Sequence, residues 1–200
     1  MNERISVLVQ RMKALEAELE VELARRRIEL NFVVHHGKVH FEQVVIARHR
    51  AMKMGLLQYV LKSRPLMVLT APLIYSLILP FALLDAFVTV YQAVCFRVYG
   101  VPRVPRSDYM VFDRGLLAYL NAIEKLNCLY CSYANGLIGY VREVASRTEQ
   151  YWCPIKHARR VIAAHDHYAA FLDYGDADAY RRDVPRLRQE LQKSDAKEPR

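Results

Sequence analysis

Two hundred residues with a formal net charge of +8 and an apolar fraction of 53% describe one domain, or one domain with a membrane element. The excess of base points to an anionic lipid surface. The basic residues are spread along the chain with no nucleic-acid-binding motif, so no nucleic-acid partner is expected. A phosphate loop, a nucleophile elbow and a zinc-protease helix are all absent from the sequence, so no reaction is assigned from motif.

Residues 1–30 read as an amphipathic or coiled-coil helix. Ile5, Leu8, Met12, Leu15, Leu19 and Leu23 recur at steps of three and four, and Glu16, Glu18, Glu20 and Glu22 precede Arg25, Arg26 and Arg27. Acid early and base late suits the helix dipole. The stripe serves either packing within the protein or a homodimer, because three heptads are marginal alone. Met1 to Arg27 has no apolar core of the kind a signal peptide needs, and none is expected.

Residues 31–64 read as a small hairpin followed by a basic helix. Val33 and Val34, then Val39 and Phe41, flank Gly37-Lys38. His35, His36 and His40 lie here as polar strand residues, with no thiolate or carboxylate nearby to complete a metal set. The segment from Glu42 to Leu61 reads as one basic amphipathic helix. Arg48, Arg50, Lys53, Lys62 and Arg64 fall between Gln43 and Arg64 without an acid among them.

Residues 65–98 form the membrane-embedded segment. From Pro65 to Phe96 the chain contains no Lys or Arg and a single acid, Asp85. A bilayer core of ~30 Å accepts ~20 such residues, and one straight helix over this run would reach ~48 Å. Pro72 and Pro80 favour breaks. Two architectures fit. In one, residues 66–84 cross once, Asp85 sits at the far interface and residues 86–98 lie along the surface. In the other, the chain bends near Pro80 and returns as a helical hairpin. Basic residues on both flanks, Arg97, Arg103, Arg106 and Arg114 on the far side, favour the hairpin; a deep Asp85 opposes it unless Tyr75, Ser76 or Gln92 relieves it.

Residues 99–172 read as a small helical domain facing the cytoplasm. A proline-rich exit leads to a helix over Tyr109–Ala145, and Pro154 starts another running to about Leu172. The stretch Leu126 to Val141 is uncharged but short for a span, and fits a buried or interfacial helix. Tyr130, Tyr133, Tyr140, Tyr151 and Trp152 suit interfacial anchoring. Residues 173–200 read as a polar tail whose last dozen residues fray. The fold class is therefore mainly α: a membrane-embedded helical segment or hairpin, a small cytoplasmic helical domain and an N-terminal amphipathic helix.

The chemistry suggested by spacing is a metal site. Cys128 and Cys131 sit one helical turn apart, Cys153 would cap the helix begun by Pro154, and His157 follows one turn on. If the two helices pack, three sulfurs and an imidazole form a tetrahedral shell for zinc; iron or an iron–sulfur cluster is the alternative. Packing cysteines and a thiol redox pair remain open. Cys95 belongs to the apolar run, and an odd set of three cysteines makes a poor disulfide framework, so reduced thiols and a cytoplasmic face are expected. Glu124, Glu143 and Glu149 lack the Glu-x-x-His partners of a diiron site.

The segments YLNAIEKLNCLYCSYANG and RTEQYWCPIKHARR, with YQAVCFRVYGVPRVPRSDY ahead of them, resemble an uncharacterised family of bacterial integral membrane proteins, over residues 55–165. That resemblance implies a bacterial inner-membrane context and no activity. The expected function is a membrane-anchored binding or scaffold protein with a structural metal. A membrane-bound redox enzyme using the same thiols and a metal-free dimeric scaffold are the alternatives.

Overall fold

A computed structural model describes residues 3–35 and 38–194. The chain divides into two compact units, Met1–Leu69 with Phe112–Leu129, and Thr70–Val111 with Tyr130–Arg200.

In the first unit, α1 (Glu3–Glu29) runs from the start of the described residues, and Asn31 then takes a left-handed φ of 54°, a conformation Asn tolerates after a helix. Strands β1 (Phe32–His35) and β2 (Lys38–Phe41) pair antiparallel with Val34 opposite Val39, as the valine pattern predicts. His36 and Gly37 fall outside the described residues. The basic helix breaks in two, α2 (Gln43–Ala51) and α3 (Leu56–Lys62), with Gly55 extended at the start of α3. A chain of rings holds the unit together: Phe32 meets Phe41 at 5.5 Å, Phe41 meets His49 at 5.5 Å, and His49 meets Tyr119 at 5.1 Å. Leu8, Met12, Leu15 and Leu19 of α1 stay exposed.

The apolar run folds as α4 (Pro65–Ser76), α5 (Ile78–Tyr91), one π-helical turn (Gln92–Phe96) and α6 (Arg97–Tyr99). Leu77, between α4 and α5, keeps right-handed helical dihedrals, so the chain does not reverse near Pro80 and the hairpin is not formed. Pro80 sits in the first turn of α5, where its missing N–H costs nothing. Gly100 ends the run with a φ of 66°.

The Tyr109–Ala145 helix starts later than its apolar pattern suggests. α7 spans Ala122–Trp152, and the residues before it form only short 3₁₀ turns. The start is fixed by a reciprocal cap. Asn121 Oδ1 accepts from the Ile123 and Glu124 amides at 3.0 Å, while Glu124 Oε2 accepts from the Asn121 amide at 2.8 Å.

In the second unit, α5 and α7 lie side by side and parallel. Tyr130 reaches Ile74, Tyr133 reaches Asp85, Tyr140 reaches Gln92, and Tyr151 stacks on Tyr99. The segment after Gly100 returns between them. Pro102 accepts a hydrogen bond from Arg147, Val104 is held by Gln92, and Arg106 pairs with Asp85. Gly136 and Gly139 admit it, since a Cβ on Gly136 would lie 2.5 Å from the Tyr109 carbonyl oxygen. Phe96, Val101, Val104, Met110, Leu137, Tyr140, Val144 and Leu191 form the core around this segment. Tyr140 is a core residue and not an interfacial anchor.

Two further expectations change. The helix from Pro154 to Leu172 does not form. Ile155 bridges to Leu172, Ala163 takes a φ of 56°, and a 3₁₀ turn covers Asp166–Ala170. The polar tail contains α8 (Ala177–Lys193), which buries Ala179, Val184, Leu187 and Leu191. Asp176 caps it by accepting from the Ala179 amide at 2.9 Å. Gln150 and Arg188 tie it to α7 through the Leu187 and Tyr151 carbonyls.

Candidate functional site

The unbroken run of α7 decides the fate of the cysteine cluster. Cys131 lies in its early turns and Cys153 just past its end, so about 33 Å of helix separates them at 1.5 Å per residue. No ion bridges that distance. Cys153 continues the end of α7, its amide bonded to the Glu149 carbonyl at 2.7 Å, and does not cap a new helix. His157 is engaged elsewhere. Its amide donates to the Tyr168 hydroxyl at 2.6 Å and its ring stacks on the Tyr168 ring. Cys128 and Cys131 remain one turn apart on α7, and all four cysteines are unpaired. Among the described residues no group of three or more His, Cys, Asp or Glu side chains is placed to hold a metal. The second helix the zinc reading needs is absent because residues 153–172 make tertiary bonds in place of helical ones.

Those bonds create a cluster that the spacing did not reveal. Glu143 and Glu149 on α7 each receive a histidine from the His165-Asp166-His167 turn. His167 Nε2 lies 3.2 Å from Glu143, and His165 Nε2 lies 3.0 Å from Glu149. Arg147 donates to Glu143 at 2.8 Å from the next turn of α7, and Ser146 adds its hydroxyl. Arg142 holds the approach to the turn by donating to the carbonyls of Ala163 and Ala164. A cleft of about 120 Å³ opens beside the cluster, lined by Tyr109, Gly139, Arg142, Glu143, His165 and Asp166.

The electrostatics of the cluster centre on the Glu143 carboxylate. Burial pushes the Glu143 carboxyl up, but the hydrogen bonds from His167 and Arg147 outweigh it and hold the group at about 2. It stays ionised at neutral pH. The Glu149 carboxylate fixes the His165 ring from its Nε2 side, while Nδ1 is buried without a partner. The Glu143–Arg147 pair was readable from its i,i+4 spacing. The two histidines were not, because a turn carries no periodicity that says which helix face it will meet.

A second polar group lies inside the apolar run. Arg106 grips Asp85 with two donors, Nε at 3.0 Å and Nη2 at 2.5 Å, and Tyr133 donates to the same carboxylate at 3.1 Å. About two turns on, Gln92 is 3% exposed. It donates to the Val104 carbonyl at 3.2 Å and accepts from the Val104 amide at 3.0 Å, replacing the strand partner that the return segment lacks. Asp85 thus joins helix to return segment and is not the lone acid that the sequence presents.

Neither family models, nor curated proteins, nor solved structures yield a match to this chain.

Proposed function

We propose that this chain is a membrane-anchored binding or scaffold protein, embedded through Pro65–Tyr99 in a bacterial inner membrane, with its helical parts on the cytoplasmic side. One observation carries the reading. The helix from Pro65 to Tyr99 is 35 residues long, has a mean hydropathy of 2.1, and none of its most apolar stretch is buried within the protein. A core helix of a soluble protein would be covered, and this one needs another apolar phase. The unpaired cysteines and the basic residues at both flanks favour the cytoplasmic face.

The scaffold role draws support from α1. Its exposed Leu8, Met12, Leu15 and Leu19 fall at alternating seam positions, and in a parallel pair Arg11 of one copy would face Glu16 of the other. The test is cell fractionation followed by mass measurement in detergent. The expected result is protein confined to the membrane fraction, released by detergent and dimeric, and monomeric once residues 1–27 are deleted. Full-length protein that stays monodisperse in buffer without detergent overturns the anchor, and an unchanged mass after the deletion overturns the dimer.

A further inference from the structure

We infer that the Pro65–Tyr99 helix lies along one leaflet of an anionic bilayer and does not cross it; this rests on the membrane reading above and says how the contact is made. Three independent features converge on it.

The first is length. Thirty-five helical residues extend about 52 Å, against a hydrocarbon core of about 30 Å. Large apolar side chains are exposed from one end to the other, with Leu66 at 74%, Leu79 at 69%, Phe87 at 73% and Val98 at 77%. A helix standing upright would leave some 20 Å of this surface outside hydrocarbon. A helix lying just beneath the headgroups keeps its whole length at one depth.

The second is topology. α5 and α7 run parallel, as the paired contacts from Ile74–Tyr130 to Tyr99–Tyr151 establish. The chain therefore leaves the Tyr99 end and comes back along the groove. Met110 reaches the level of Gly136 on α7, and α7 starts earlier still, at Ala122. If α4–α5 crossed a bilayer, residues 100–121 would have to cross back. That stretch has no continuous helix or strand and exposes Arg103, Arg106, Asp108, Asp113 and Arg114. Irregular backbone and exposed charge are excluded from the lipid-facing interior.

The third is charge. Arg48, Arg50, Lys53, Lys62 and Arg64 precede the helix with no acid from Gln43 to Arg64, and Arg97, Arg103 and Arg114 follow its apolar part, Arg106 being engaged by Asp85. Bases at both ends mark one and the same side of a membrane, and they match an anionic headgroup layer. From Asp85 to Phe96 the inward face of the helix, carrying Asp85, Gln92 and Phe96, is spent on the protein's own core, while Leu66, Met67, Val68 and Leu69 of α4 are exposed around the whole circumference.

The geometry predicts where the termini sit. A crossing α4–α5 with a parallel, crossing α7 puts the two ends of the chain on opposite sides; a helix lying on one leaflet keeps them together. The experiment places a small epitope at either terminus of the otherwise native chain and applies protease to intact spheroplasts and to inverted inner-membrane vesicles. Both epitopes should be protected in spheroplasts and digested in inverted vesicles. One epitope digested from each side overturns this inference and leaves the anchor standing. Protein found only in the soluble fraction overturns both. Flotation of purified protein with phosphatidylcholine vesicles, with and without phosphatidylglycerol, tests the charge. At least tenfold weaker binding to the neutral vesicles is expected, and equal binding overturns the anionic assignment.

Discussion

Replacing Glu143 with Gln isolates the energy stored in the histidine–glutamate–arginine network. The Glu143 side chain is 17% exposed and Arg147 beside it 14%, so solvent screens the pair weakly. The carboxyl falls from 4.5 in an unfolded chain to about 2 in the folded one, worth about 3 kcal/mol at 1.36 kcal/mol per unit. A depressed pKa stabilises the fold through the ionised form. The contribution is therefore whole above pH 4.5, shrinks as pH falls through the interval, and is gone below about 2. Denaturant unfolding of wild type and Glu143→Gln in the same mild detergent measures it as a difference. At pH 7 the wild type should be more stable by about 3 kcal/mol, an upper figure because the amide still accepts one hydrogen bond. That gap should close steadily between pH 4.5 and about 2. A gap under ~0.5 kcal/mol at pH 7, or one that does not change with acid, would refute the assignment of this stability to the paired carboxylate.

Gly136→Ala should destabilise by about 1–3 kcal/mol, read as a lower unfolding midpoint, because its Cβ meets the Tyr109 backbone oxygen, which is fixed by the return segment. Gly139→Ala should cost less, since the neighbour there is the Tyr109 ring at 3.1 Å, which can swing. Cys131→Ser and Cys153→Ser should add within about 0.5 kcal/mol in the double variant, as sites at opposite ends of one helix do. A coupling above ~1 kcal/mol would mean that the two sulfurs share a ligand after all.

Legibility in the sequence followed the range of the interactions. The hairpin was readable because Val34 and Val39 sit next to their own turn. The start of α7 is readable in principle, since Asn121 and Glu124 carry a capping box, but Leu116 and Leu120 continue the helical spacing of Ile123 and Leu126 backwards and suggest an earlier start. The end of α7 was hidden. Pro154 is a sound helix start by itself, but the segment it opens bonds elsewhere, Ile155 bridging to Leu172 and His165 and His167 meeting Glu149 and Glu143. α8 carries a faint signal because Val184, Leu187 and Leu191 are sparse among charges, yet they fall on one face and that face is buried. The cysteine cluster failed for the same reason as the missing helix. Spacing fixes which residues share a turn, and says nothing of whether two turns thirty ångströms of helix apart, by about 1.5 Å per residue, ever meet.

The groove between α5 and α7 is filled by residues made after the first helix and before the second. Phe96 leaves the ribosome about 40 residues ahead of Leu137, a delay of roughly 2–8 s at 5–20 residues per second. Through that interval the greasy rod has no intramolecular cover on any side. On the proposed reading the lipid receives it first, and the cytoplasmic half is then assembled against a component already parked at the surface, so the order of synthesis is itself the order of construction.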